Sequence, residues 1–183
     1  LESKGSREFE SHLLRIEILL KICYSCTRTA TRKGVRMLET LRLLEHFLTE
    51  GFCLHGSPVK IRDHVEPRLA NDVSGRPSGC QLAVYADNQD IRIPCLMAMR
   101  TPIDPSKREP GGHSLRNGIL TVTGNNTTFR PGYVYVLPTD TFQDFGGEFI
   151  SYKPVAAHAV VLVTPTILAM FKKTHFQIPV PAT

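Results

Sequence analysis

The feature that most constrains this chain is a change of hydrophobic pattern near residue 51. Before it, apolar residues recur every three to four positions over residues 12–26 and again over residues 35–48, which predicts two amphipathic helices. After it, short β-favouring runs alternate with Gly and Pro. The sequence therefore predicts an α+β protein, with an N-terminal helical segment at residues 1–50 and a strand-rich domain at residues 51–183.

The sequence from residue 51 onward predicts six strands. They are expected at residues 51–55, 81–86, 118–123, 132–137, 149–153 and 158–164. Between them, residues 87–99 begin like a helix that Asp87 or Asn88 caps, which Pro94 would disturb unless it lies near the first turn. Residues 100–113 contain three Pro and two Gly and predict a long loop, which fits a lid or an acceptor-recognition loop.

Composition and charge narrow the class of protein. The chain is 42% hydrophobic and 21% charged, as globular proteins are and disordered chains are not. A net charge of +5 permits a nucleic-acid partner without requiring one. Five scattered cysteines fit reduced thiols in a cytoplasm better than a disulfide scaffold. No apolar run reaches the roughly 18 residues of a membrane span, so no membrane partner is predicted.

Two cysteine-based sites compete for the chemistry. Cys23 and Cys26 have the spacing of a zinc half-site, but no second ligand pair follows, so no metal site is predicted. Ser78-Gly79-Cys80 offers a thiol that His113 could activate, and this tripeptide resembles the cysteine motif of bacterial glutamine deamidase toxins. A deamidase-type enzyme built on Cys80 and His113 therefore stays open as an alternative.

Three further residues occur in order on three predicted strands. His55 ends a short apolar strand, and Gly56 follows it without a Cβ, so a flat ligand could approach the main-chain amide and carbonyl there. Tyr85 offers a ring face for stacking. Glu148 opens a later strand behind two glycines. Each residue alone is ordinary, and their order within one domain is what indicates a shared site.

In this order the residues resemble the signature of the ADP-ribosyltransferase superfamily, in its His-Tyr-Glu branch of diphtheria-toxin-like and poly(ADP-ribose)-polymerase-like enzymes. His55-Gly56-Ser57 resembles the His-Gly-Ser/Thr motif, Val84-Tyr85-Ala86-Asp87 the second strand, and Glu148-Phe149-Ile150-Ser151 the strand of the catalytic acid. The flanking Val65-Glu66-Pro67-Arg68 and residues 132–138 resemble small bacterial or phage-type members. The resemblance covers residues 51–168.

The resemblance implies a split β-sheet body preceded by a helical pair, and NAD as substrate. It implies that Glu148 is the catalytic acid, with His55 and Tyr85 completing the catalytic set. The NAD-binding set is then the Gly56 main chain and Ser57 at the carboxamide, Tyr85 stacked on nicotinamide, His55 at the adenosine ribose, and Arg68 and Arg76 at the pyrophosphate.

Two positions depart from the family pattern. The usual second aromatic has no counterpart at Ile91 or Ile93, so nicotinamide is held from one side, or by Tyr133 or Tyr135. Gly146 stands where arginine-directed members carry Glu or Gln, which argues against arginine as the acceptor.

The function implied is mono-ADP-ribosyl transfer from NAD to a macromolecular acceptor, either protein or nucleic acid, and transfer to water in a plain glycohydrolase stays open beside it. The resemblance further implies a cytoplasmic toxin or phage-defence effector that acts inside a target cell, with an antitoxin or regulatory partner. A non-catalytic module that binds NAD or ADP-ribose is the other alternative left open.

Overall fold

The structure, a computed structural model, describes residues 31–69, 81–104, 112–124, 127–146 and 148–176. The predicted helix over residues 12–26 lies outside them. The chain divides into two compact units, residues 1–36 and 37–183. The predicted boundary followed residue 50. Leu41, Leu44 and Phe47 are nevertheless buried within the second unit, where the Phe47 ring meets Phe52 edge-on with the ring centroids 5.7 Å apart.

The described chain is mixed α+β with more strand than helix, so the predicted fold class is confirmed at this level. Its helices are α1 (Thr31–Thr49), α2 (Arg92–Met99) and a 3₁₀ helix (Pro165–Met170). Its strands are β1 (Cys53–Ser57), β2 (His64–Val65), β3 (Arg68–Leu69), β4 (Leu82–Ala86), β5 (Arg100–Pro102), β6 (His113–Arg116), β7 (Ile119–Val122), β8 (Thr127–Phe129), β9 (Gly132–Leu137), β10 (Gln143–Phe145), β11 (Glu148–Ser151), β12 (Val155–Ala156), β13 (Ala159–Val163) and β14 (Thr174–Phe176). No helix in the described parts of the chain has the length and apolarity to cross a membrane.

Two antiparallel sheets form the centre of the second unit. One has the strand order β1-β9-β13 and the other β10-β11-β4-β3. In the described chain a single bridge, between Leu54 and Asp87, joins β1 to β4. Its two main-chain hydrogen bonds measure 2.8 and 2.9 Å. Smaller pairings, β12-β2, β14-β7-β6 and β5-β8, surround this centre.

Helix α2 packs on the first sheet through two glycines. A Cβ on Gly56 of β1 would overlap the carbonyl oxygen of Pro94, and a Cβ on Gly132 of β9 would overlap that of Ala98. The helix backbone therefore lies directly on the strands. Its apolar face is correspondingly well buried, with Leu96 and Met99 at 0% exposure.

A second buried cluster holds the two sheets together on the opposite face. Cys53, Tyr135 and Leu137 contribute from β1 and β9, and Val84 contributes from β4, with Phe149 of β11 packed against them. Burial raises the pKa of the Cys53 thiol to about 12, so this cysteine is a core residue rather than a nucleophile.

The predicted helix near residue 90 is present but begins differently. Pro94 is the third residue of this helix, so it does not disturb the helix. The expected side-chain cap was wrong, because Ile91 occupies the N-cap position without a side-chain bond. Asp87 instead accepts hydrogen bonds at 2.7 Å from the main-chain N–H of Gln89 and of Asp90, which closes the turn before the helix. Part of the predicted loop, at Arg100–Pro102, is strand β5.

Replacing Gly132 tests the packing of helix α2. Gly132→Ala should lower the free energy of unfolding by about 1–3 kcal/mol, because the new methyl group overpacks against a main-chain carbonyl that cannot rotate away. Urea unfolding followed by circular dichroism measures it. Gly112→Ala is the matched control, since its Cβ would meet Thr123 Oγ1 at an ordinary 3.5 Å. Equal stability of the two variants would contradict this packing.

Candidate functional site

The imidazole of His55 occupies the place of a main-chain donor between β1 and β4. Along the edge of β4, the carbonyl of Asp87 accepts from Leu54 N–H, and that of Tyr85 lies 2.6 Å from His55 Nδ1. Further along, Ala83 pairs with Arg68 of β3. A carbonyl only accepts, so Nδ1 carries the proton and donates. Main-chain pairing between β1 and β4 thus ends at the Leu54–Asp87 bridge, and the next bond between the strands comes from the His55 ring.

Gly56 turns its main-chain groups toward β4, beyond the bridge at which the main-chain pairing ends. Successive residues of an antiparallel strand point their N–H and C=O to alternate sides. Leu54 bonds toward β4, so Gly56, two residues on, also points toward β4. We call the space between Gly56 of β1 and Tyr85 of β4 the strand gap. One amide donor and one carbonyl acceptor therefore face it.

The sequence-based reason for a glycine at position 56 needs correction. The missing Cβ was expected to let a ligand approach the main chain. In the structure its direction points at helix α2, where Pro94 O and Ala98 N lie. The glycine is thus explained by helix packing, and the amide and carbonyl reach the strand gap along the strand's edge instead.

Tyr85 and Glu148 share one face of the second sheet. Tyr85 pairs with Ile150 of β11, and Glu148 lies two residues before Ile150. Diagonal neighbours of this kind are about 7–8 Å apart, within reach of long side chains. The Tyr85 hydroxyl donates to Gln81 O and accepts from Gln81 N–H, both at 2.9 Å, which orients its ring. The side chain of Glu148 is half-buried and interacts with another group of the protein.

Asp87 is a further carboxylate near this site, and the sequence indicated it only as a possible helix cap. Continuing the β4–β11 register by one pair places Asp87 opposite Glu148. Burial raises the pKa of Asp87, against the lowering effect of hydrogen bonds from the N–H groups of Gln89 and Asp90. The sequence did offer one signal for Asp87, which is an acid between a predicted strand and a predicted helix. Its position relative to Glu148 follows from the strand register and was not readable from the sequence.

The remaining predicted NAD-binding residues occupy different surroundings. Arg68 is exposed on β3, and its charge acts on the His55 ring. Ser57 is 3% exposed. Its hydroxyl donates to Val59 O at 2.9 Å and accepts from Val59 N–H at 3.3 Å, so it serves a local turn. Arg76 lies outside the described residues.

Tyr135 is buried rather than available for stacking. It is 1% exposed, and its hydroxyl accepts from Ile61 N–H at 2.6 Å, which anchors the segment after β1. Its ring centroid is 6.3 Å from that of His55. Tyr133, half-buried two residues earlier on β9, remains the prediction for a second aromatic face.

The structure does not test the deamidase alternative built on Cys80 and His113. Cys80 lies outside the described residues. His113 is on the exposed strand β6, and its charge acts on Asp87. The described residues contain no group of three or more His, Cys, Asp or Glu that could hold a metal ion.

In comparisons with known proteins, no family model, no curated protein and no solved structure matches this chain.

The protonation of His55 gives a testable pH dependence. Burial lowers the pKa of His55 below its usual 6.5, the bond to Tyr85 O opposes this, and the charge of Arg68 adds to the lowering. Below pH 6.5 the unfolded chain therefore binds a proton that the folded chain does not. Stability should be independent of this group above that pH, fall as the pH drops below it, and level off beneath the lowered pKa.

The measurement compares urea midpoints of the wild type and His55→Gln between pH 8 and pH 5. Glutamine keeps a donor for Tyr85 O and does not titrate. The wild type should lose stability relative to the variant as the pH falls. Parallel curves would show that the ring is not held neutral by burial.

Proposed function

We propose that this protein is an NAD-dependent mono-ADP-ribosyltransferase, which breaks the bond between nicotinamide and ribose and transfers ADP-ribose to a macromolecular acceptor. One observation carries the proposal. The His55 side chain bonds the Tyr85 carbonyl, the acceptor that the Gly56 amide would meet in a continued ladder, so the Gly56 amide and carbonyl face the strand gap, and Glu148 of β11 lies diagonal to Tyr85 of β4.

The architecture supports this interpretation. The sequence resemblance implies a split β-sheet, and among the described residues the two central sheets are joined at the Leu54–Asp87 bridge alone. His55, Tyr85 and Glu148 lie on β1, β4 and β11, with β4 between the other two strands. His55 contacts Tyr85 across 30 residues of chain, and Glu148 lies diagonal to Tyr85 on the neighbouring strand.

Recognition of nicotinamide would use main-chain groups. A carboxamide has one donor side and one acceptor oxygen, and it matches the C=O and N–H that Gly56 turns toward the strand gap. Tyr85 would lie against the ring, a contact worth about 1 kcal/mol beyond its buried area. Neutral His55, with Nδ1–H donated to Tyr85 O, keeps Nε2 as an acceptor for a ribose hydroxyl. Of the two arginines predicted to bind the pyrophosphate, Arg68 lies within the described residues and would pair with it.

Glu148 has the role in the bond-breaking step. When the bond from ribose C1′ to nitrogen breaks, its electron pair leaves with neutral nicotinamide, and positive charge develops on the ribose. A carboxylate bonded to the 2′-hydroxyl stabilises that charge more in the transition state than in the ground state. The acceptor then bonds to C1′, and its proton passes to Glu148.

The turn before Glu148 bears on the class of acceptor. Gly146 has a φ of 62°, in the left-handed region that side chains with a Cβ adopt reluctantly. A Glu or Gln at this position would be strained, so the fold disfavours the residue that arginine-directed members of the superfamily carry there. We therefore propose a protein or nucleic-acid acceptor group other than arginine, and a cytoplasmic role as a toxin or phage-defence effector that a partner protein regulates.

Nicotinamide release tests the proposal. The wild type incubated with NAD should release nicotinamide, measured by mass spectrometry, and Glu148→Gln should lower the rate by about 10²–10³ because the charge-stabilising carboxylate is lost. Glu50→Gln is the matched control. It makes the same change at an exposed residue after helix α1 and should keep the wild-type rate.

The binding measurement separates the alternatives. Calorimetry with NAD should show saturable binding to both the wild type and Glu148→Gln. Binding without nicotinamide release in either protein would indicate the non-catalytic module instead. Absence of both binding and release would contradict the proposed function altogether.

A further inference from the structure

A second concave feature lies beside helix α1, apart from the strand gap. It is a groove of about 760 Å³, which we call the α1 groove. One wall is the face of α1 that carries Leu38, Leu41 and Leu48, and the other walls are residues 89–92 and residues 170–173. Leu38 is 39% exposed although it lies on an apolar stripe. The groove therefore leaves hydrophobic surface open to solvent.

The polar groups at the base of the α1 groove already bond one another. The Asp90 carboxylate accepts from Arg92 Nε and Nη2. The Arg92 guanidinium also donates to the carbonyls of Lys172, Lys173 and Gly118. Pockets for small molecules keep a few convergent polar groups for the ligand, whereas these are used within the protein. The groove thus favours an occupant recognised by apolar contact.

The rim of the α1 groove is positively charged. Arg42, Lys172 and Lys173 line it together with one acid, Glu45, and all four side chains are exposed. None of them forms an ion pair with another described residue. Three cations against one anion attract an occupant that carries acidic residues beside its apolar ones.

The shape of the α1 groove selects a helix among possible occupants. The lining stretch of α1, from Leu38 to Thr49, rises about 16 Å at 1.5 Å per residue, which is three helical turns. No described strand edge lines it, so addition of a strand to a sheet is excluded there. Apolar side chains at i, i+3 and i+7 of a second helix would lie along the Leu38, Leu41 and Leu48 stripe.

We propose that the α1 groove is a docking site for an acidic amphipathic helix of a partner protein. The helix lays its apolar face on Leu38, Leu41, Leu48 and their neighbours, and its acidic flank meets Arg42, Lys172 and Lys173. This site does not depend on the NAD chemistry proposed for the strand gap, and its test needs no NAD.

A synthetic peptide pair tests the site on the full chain. The probe is a fluorescein-labelled amphipathic helix of about 14 residues, four turns, with Leu on one face and Glu on the flanks. Its counterpart has Lys in place of every Glu. Fluorescence anisotropy should show saturable binding of the acidic peptide. Binding should weaken with added salt, because exposed charge pairs are screened.

Variants at exposed positions locate the binding. Arg42→Glu and Lys172→Glu should each raise the Kd of the acidic peptide about two- to fivefold, and Leu38→Ser should raise it about tenfold. Lys153→Glu, the same charge reversal at an exposed residue outside the groove, should leave it unchanged. The combined Arg42→Glu and Lys172→Glu variant should bind the Lys peptide in preference to the Glu peptide. Circular dichroism confirms that each variant is folded.

Three results would overturn the proposal. The first is that the acidic peptide does not bind at concentrations up to about 1 mM, because a Kd above that value is too weak for a specific docking site. The second is equal affinity for the acidic and basic peptides, or no effect of the groove variants. The third is a dimer in sedimentation experiments that Leu38→Ser dissociates, which would make the groove an interface between two copies of this chain.

Discussion

The close approach of helix α2 to Gly56 and Gly132 is the constraint on which the rest of the structure depends. Without a Cβ at either position, the helix main chain lies on β1 and β9, and its apolar face is removed from water. The same contact covers one face of β1 at the residue whose amide and carbonyl turn toward β4. Packing and site therefore share a residue, and a larger side chain at position 56 would disturb both.

The strand gap arises because a side chain replaces a main-chain partner. After the Leu54–Asp87 bridge, regular pairing would continue with Gly56 against Tyr85. The His55 ring bonds the Tyr85 carbonyl instead, so the ladder stops. Main-chain polar groups demand partners, and a ligand with a matching donor and acceptor can supply them. At this interruption the Gly56 amide and carbonyl are the groups that the proposed ligand would bond.

Regular parts of the fold were readable from local pattern. Strand β9 spans the residues predicted, 132–137, because β-branched and aromatic residues follow one another there without a turn signal. The helix near residue 90 was readable too, but its start was not, because the structure begins it at Arg92, where Pro94 falls in the first turn and has no N–H to lose. Strands β2, β3 and β12 were missed because each has two residues, too few for any periodicity. Their existence depends on the partner strand.

Among the site residues, sequence order alone indicated His55, Tyr85 and Glu148, and local chemistry suggested what each could do. Their arrangement was decided in three dimensions. Register placed Glu148 diagonal to Tyr85 and opposite Asp87, and burial made Tyr135 a core residue rather than a stacking surface. The physical reason is that residue type determines which bonds a side chain can form, whereas long-range strand pairing determines which partners are near enough to form them.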